Sequence, residues 1–467
     1  MILLSLDDIR NHLDFFIKFL THSRGFCVYM SETETTRLMK RTISLIIGLS
    51  AALILTAGCA DIELADGSRK SNMPPTSGLT RAQETVAAGQ VKFSVDFFKR
   101  AAKQKGGNTL VSPFSMSSAW SMLAPGASGK TYSEIAETLG FKDCAPEEIG
   151  SYYRRSLEAM APADDSCKLN IANAIWVDRL LHPYEQYVSA TEMYYSAKVT
   201  ELDLSAPASI DCINSWVKEN TDGMIDKILD DKVLGAAMIL TNAVYFNARW
   251  KHIEYQTKEK WFKDANGKET KRKFFEGSYV LSRSYNLENS ENEKTSEPRI
   301  ISLPFASSPL EMVFVLPPEG KSIDDFIGSL SDSKWNRMMS QLKESSIFTQ
   351  VSIPEFSEAT SLSSQECIDI LKKMGIRKAF EFDETKGFSN LSPHETYVGD
   401  VRQIAKIEVT RSGAKAAAAT SISTLYGAST EPLPVPAFET FNADRPFLYS
   451  IIEPSTQSIL FMGVIRQ

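Results

Sequence analysis

The chain has 467 residues, 43% of them apolar and 23% charged, with a formal net charge of −7. That composition is ordinary for a globular protein, and the negative balance argues against a nucleic-acid partner. The most basic stretch, Lys258 to Lys273, is interleaved with Glu259, Asp264 and Glu269 and reads as a solvated hairpin, not a polyanion site.

Met39-Lys40-Arg41 supplies a basic start, Ile43 to Thr56 an apolar run, and Ala57-Gly58-Cys59 a small-residue cleavage site, the layout of an export signal. The run is too short to span a bilayer comfortably. Cys59, directly after Ala-Gly, resembles the lipidated cysteine of a bacterial lipoprotein box, although Thr56 stands where Leu is more usual. Residues 1–38 make no sense upstream of such a signal, so translation is expected to start at Met39. The layout is then a lipoprotein-type signal over 39–58, lipidation at Cys59 and a flexible, Gly/Ser/Pro-containing tether over 59–79. Asp61, Glu63 and Asp66 make the tether's start acidic, a pattern that resembles surface-export signals of some Gram-negative bacteria. The expected location is the bacterial cell envelope, reached through a lipid anchor, with the body surface-exposed or extracellular.

One domain is expected over 80–467. Thr80 with Gln83 forms a candidate capping box, followed by an apolar stripe at helical spacing, Val91, Val95 and Phe98, and a stop at Gly106-Gly107-Asn108. Further helices fit Ser115–Leu123, Thr131–Leu139, Asn214–Leu229 with an interruption at Gly223, and Ser364–Lys373. Strands fit Ile171–Val177, Met312–Leu316 and Val351–Phe356, and Ala236–Phe246 is apolar enough to be buried on both faces. Phe447–Ile452 and Ile459–Ile465 read as a hairpin turned at Pro454-Ser455-Thr456. Helices dominate early and strands late, which is an α+β pattern.

Catalytic equipment is not evident. Gly129-Lys130-Thr131 lacks the first glycine and the preceding strand of a phosphate loop, and there is no Gly-x-Ser-x-Gly elbow. His182, His252 and His394 lack metal-binding spacing, as do Cys144, Cys167, Cys212 and Cys367. No metal or cofactor is expected. A secreted hydrolase has no nucleophile–base constellation here.

Near the C-terminus stands Gly413-Ala414-Lys415-Ala416-Ala417-Ala418-Ala419-Thr420. Composition alone reads an alanine run as helix, but it opens on glycine, has no amphipathic stripe and drifts into Ser421 to Thr424. As a strand it would carry Ala414, Ala416, Ala418, Thr420, Ile422 and Thr424 on one uncharged face, with Lys415 on the other. This stretch resembles the hinge of the serpins, protease inhibitors whose reactive loop inserts into their own sheet. Three further segments are similar to the family in the same order: Asn108 to Ser115, Thr241 to Phe246 with Trp250, and Phe441 to Leu448.

The resemblance implies helices packed around three β-sheets, with an exposed reactive loop over about 411–436. It implies a monomeric suicide-substrate inhibitor of a serine protease, or of a cysteine protease, and not an enzyme. Its hinge would be Gly413, Ala414, Ala416, Ala417, Ala418, Ala419 and Thr420, and its sheet-opening region Ser112, Ser115, Asn242 and Trp250. Counting fourteen residues past the hinge glycine places the cut between Gly427 and Ala428, with Tyr426 the alternative. A non-inhibitory binding protein on the same fold is the competing reading. Two departures favour it: Arg411 where the family usually has an acidic residue, and Ala414 where Thr or Ser is usual.

Overall fold

A computed structural model describes residues 78–467 except 165–166, 196, 231–232, 252–254, 278–281, 288–295, 345–347, 383–386 and 415–437. The chain divides into two units, Met1–Lys70 and Ser71–Gln467, and all described residues lie in the second. The signal, Cys59 and the tether up to residue 77 lie outside them.

The first helix, α1 (Arg81–Lys105), begins at the capping box: Gln83 N donates to the Thr80 hydroxyl and Thr80 N to the Gln83 side chain. It ends at Gly106, whose φ of 70° suits a left-handed cap. A short strand β1 (Thr109–Val111) leads to α2 (Pro113–Leu123), a helix buried on every side. Then come α3 (Gly129–Leu139), α4 (Pro146–Met160), β2 (Cys167–Asp178), α5 (Glu185–Tyr195), β3 (Lys198–Leu202) and α6 (Pro207–Asn220). The strands β4 (Met238–Arg249), β5 (Tyr255–Lys263), β6 (Glu269–Gly277), β7 (Arg283–Tyr285), β8 (Arg299–Pro304) and β9 (Glu311–Leu316) follow. The chain continues through α7 (Ile323–Gly328), α8 (Asp332–Gln341), β10 (Lys343–Glu344), β11 (Phe348–Pro354), β12 (Phe356–Leu362) and α9 (Ser364–Met374). It closes with β13 (Asp400–Thr410), β14 (Gly413–Ala414), β15 (Phe438–Asn442), β16 (Phe447–Glu453) and β17 (Ser458–Ile465).

These strands build three sheets, so the architecture is α+β with helices packed around them. The main sheet runs β12-β13-β14-β4-β2-β3, the second β1-β17-β16-β9-β8-β7-β10, and the third β15-β11-β6-β5. The large core lies between α1, α2 and the facing sides of the sheets. A smaller cluster sits on the opposite face of the main sheet, where Ile213 and Val217 of α6, with Ile228 and Leu229 beyond it, cover Trp176, Ile239 and Ala243.

Two expected elements are different. The expected break at Gly223 is present, but the helix does not resume after it: α6 stops at Asn220, and Asp222 and Gly223 turn the chain back at φ of 53° and 72°. The Asn214 carboxamide oxygen then accepts from Ile228 N and Leu229 N, both at 2.9 Å, fastening the returning strap to the helix. Val351–Phe356 is two strands in two sheets, because Pro354 ends one ladder and Phe356 begins another.

Candidate functional site

The seam between β4 and β13 is the unusual feature of the main sheet. The two strands pair directly, in parallel, from Asp400 opposite Ile239 to Lys406 opposite Tyr245. Above Lys406 they part, and β14 lies between them, antiparallel to both. Ala414 faces Ala248 on one side and Val409 on the other and is fully buried.

Only glycine fits at the entry to this wedge. Gly413 has φ of 134°, and a Cβ there would stand 2.1 Å from Ala248 O and 2.6 Å from Arg249 Cα. Trp250 fixes the turn just before it: its indole nitrogen donates to Thr410 O at 2.9 Å and its backbone N–H to Ser412 O at 3.3 Å. The indole is itself held by stacking on Phe305, centroids 4.8 Å apart and 8° between planes. Arg411 sits in that turn, outside the paired part, with its backbone N–H donating to the Glu355 carboxylate.

A buried polar network crosses the seam lower down. Gln403 of β13 donates to Asn242 Oδ1 of β4 at 2.7 Å. The Asn242 amide donates to Ser115 Oγ of α2 at 2.5 Å and to Asn173 Oδ1 of β2 at 2.7 Å, and Ser115 Oγ in turn donates to Asn173 at 2.8 Å. Gln403 also brackets Ser112, accepting from its N–H and donating to its carbonyl, while the Ser112 hydroxyl donates to Leu460 O. One hydrogen-bond system therefore joins three strands of the main sheet to α2 and β17.

Of the four sheet-opening residues expected from sequence, Ser112, Ser115 and Asn242 belong to this network, and Trp250 stands apart at the wedge. Asn173 and Gln403 were missed. Their signal was a carboxamide on the buried face of an otherwise apolar alternation. Of the hinge, Gly413 and Ala414 are in β14. Ala416, Ala417, Ala418, Ala419, Thr420, Tyr426, Gly427 and Ala428 lie outside the described residues.

At the foot of the seam Asp400 is buried and paired with Arg402 at 3.0 Å; burial pushes its carboxyl up, against the pull of the guanidinium. Arg402 also reaches Asp230 and Ile228 O of the strap. Among the described residues no group of three or more His, Cys, Asp and Glu could hold a metal, and no helix is long and apolar enough to cross a membrane. Cys144, Cys167 and Cys367 are free and buried, and Cys212 is free and exposed.

Replacing Asn242 with leucine should destabilise the protein by about 2–4 kcal/mol, because Gln403, Asn173 and Ser115 each lose one hydrogen bond in a dry site, with only Ser112 left to Gln403 and only each other left to Asn173 and Ser115. A urea titration reads this directly; an unchanged midpoint would mean the seam does not depend on the network.

A family model described as Serpin (serine protease inhibitor) matches residues 88–467. The chain belongs to the serpin family. A serpin-like protein of Thermococcus kodakarensis is 27% identical to this serpin, over 91% of its length and 98% of the relative's. A serine protease inhibitor of Cyanea capillata is 30% identical over 77% and 92%, and the leukocyte elastase inhibitor of Bos taurus 28% over 81% and 98%. Among solved structures, the thermophilic serpin Tengpin in its native state superposes with a TM-score of 0.70 at 28% identity, covering 82% of this chain and 94% of that one. Family and inhibitor-named relatives support serine protease inhibition as the general activity of this serpin, with a protease as its partner. They are consistent with an inhibitor and not a catalyst.

Proposed function

We propose that this serpin acts as a suicide substrate: a protease cuts within 415–437, and the segment before the cut enters the seam between β4 and β13. The observation that carries this reading is the register around β14. Ala414 lies between Ala248 and Val409, and lower down Val244 pairs with Ala405. Both pairs of seam residues differ by the same offset in number. The strands therefore need only separate, without sliding, to accept more of the segment.

Continuing that antiparallel register gives each following residue a place. Ala416 falls between Phe246 and Ile407, Ala418 between Val244 and Ala405, and Thr420 between Asn242 and Gln403, where a hydroxyl can take over their hydrogen bonds. All four apolar neighbours are buried. Lys415, on the other face, falls beside Glu408, which supplies its countercharge. Met238, where β4 begins, falls opposite Thr424, the last residue of the uncharged alternation. Insertion exchanges one parallel ladder for two antiparallel ones. About ten added hydrogen bonds at roughly 1 kcal/mol each hold back on the order of 10 kcal/mol until cleavage.

The target follows from the loop. Between Lys415 and Arg445 there is no Lys or Arg. A trypsin-like pocket, built around a buried carboxylate, would find no partner there. Cleavage after Gly427 fits an elastase-like protease with a small pocket; cleavage after Tyr426 or Leu425 fits a chymotrypsin-like or subtilisin-like one. Mass spectrometry of the released C-terminal peptide should show a new N-terminus at Ala428. A start beyond Glu431 would overturn the assignment.

We also propose that the protein is exported and lipid-anchored through Cys59. Lipid labelling of the native protein should be lost in Cys59→Ser; a label retained in that variant contradicts the anchor.

A further inference from the structure

A groove of about 870 Å³ lies between residues 296–298, the turn 318–321 and the helices α7 and α8. Two lysines converge in it. Lys321 Nζ and Lys334 Nζ both donate to Ser329 Oγ, at 3.2 and 2.9 Å, which holds the ammoniums within about 6 Å of each other. Ser329 donates its own proton to Phe326 O at 2.8 Å, so both its lone pairs are taken by the lysines. Both ammoniums also lie over the Phe326 ring, at 5.9 and 4.6 Å from its centroid.

Carboxylates line the same groove but are engaged elsewhere. Glu297 holds Arg337 at 2.8 Å, Glu319 faces Arg299 at 3.6 Å, and Asp325 accepts from the Ser322 hydroxyl at 2.7 Å. Among the described residues neither Lys321 nor Lys334 has an ion-pair partner. Two like charges held this close on a shared hydroxyl and a shared ring repel each other, and a chain of net charge −7 has carboxylates to spare. Burial and the charges of Lys321, Arg337 and Lys99 hold the Lys334 ammonium below the usual lysine range, against the opposing pull of the Glu297 carboxylate.

We propose that this groove binds a tetrahedral dianion, free phosphate or a phosphate monoester, between Lys321 and Lys334. Each ammonium has three N–H donors and spends one on Ser329, leaving two each to meet the oxygens of one dianion. The groove has the volume of a small-molecule site, so an ester's organic part can lie along Pro298, Pro318 and Met338.

The test is calorimetric titration of the whole protein with inorganic phosphate and with phenyl phosphate, at ionic strength held constant with chloride. Saturable binding at or below about 1 mM is expected, weakened at least tenfold in Lys334→Gln and in Lys321→Gln. Lys372→Gln, which removes an ammonium over Phe380 elsewhere, should change nothing. Tighter binding of phenyl phosphate assigns the site to esters, and binding of phosphate alone assigns it to the free ion. No saturation with either probe, or equal binding by both groove variants and the parent, overturns the proposal.

Discussion

Replacing Ala418 with glutamate should convert this serpin from inhibitor to substrate. On the proposed insertion, residue 418 would stand between Val244 and Ala405, both fully buried on the face that packs against the main core. A carboxylate there must be desolvated without a partner, at a cost of several kcal/mol. That is a large fraction of the energy insertion releases, so insertion slows while cleavage continues. The protease then leaves with its active site intact. Ala416→Glu should do the same opposite Phe246 and Ile407. Ala417→Glu is the control, because residue 417 falls on the other face beside Lys406 and should leave inhibition nearly intact. Covalent complex retained in full by Ala418→Glu would remove insertion from the account.

Cutting the loop should make the protein harder to melt. Nicking a loop ordinarily loosens a fold, since it frees two chain ends. Here the freed segment can complete the main sheet, and about 10 kcal/mol spread over a domain of this size is a rise on the order of 10 °C in melting temperature. The comparison uses a protease that nicks 415–437 without being trapped, with intact and nicked samples scanned at the same rate. An equal or lower melting temperature after nicking favours a loop that merely straps the surface, as the non-inhibitory reading requires.

Much of this was legible in the sequence because it rests on local chemistry. Thr80 and Gln83 announce α1, Gly106 ends it, and the two apolar runs around Pro454-Ser455-Thr456 announce the hairpin of β16 and β17. Of the uncharged alternation from Ala414 to Thr424, only Ala414 lies among the described residues. What escaped depends on residues far apart in the chain. Gln403 and Asn173 matter because β13 and β2 flank β4, a pairing that no local pattern encodes. The strap after α6 read as helix because Ile225, Ile228 and Leu229 are apolar at helical spacing; they are apolar because they cover Trp176 and Ile239. The common offset of β4 and β13 is a property of the assembled sheet alone.

One gel shows whether a protease that cuts the 415–437 segment is trapped by insertion. The protein is incubated with elastase-like, chymotrypsin-like, subtilisin-like and trypsin-like serine proteases, boiled in detergent and separated by size. A band at the summed mass of inhibitor and protease is expected for at least one of the first three and none for the trypsin-like enzyme. A loop cleaved by every protease that reaches it, with no such band, would contradict trapping by insertion.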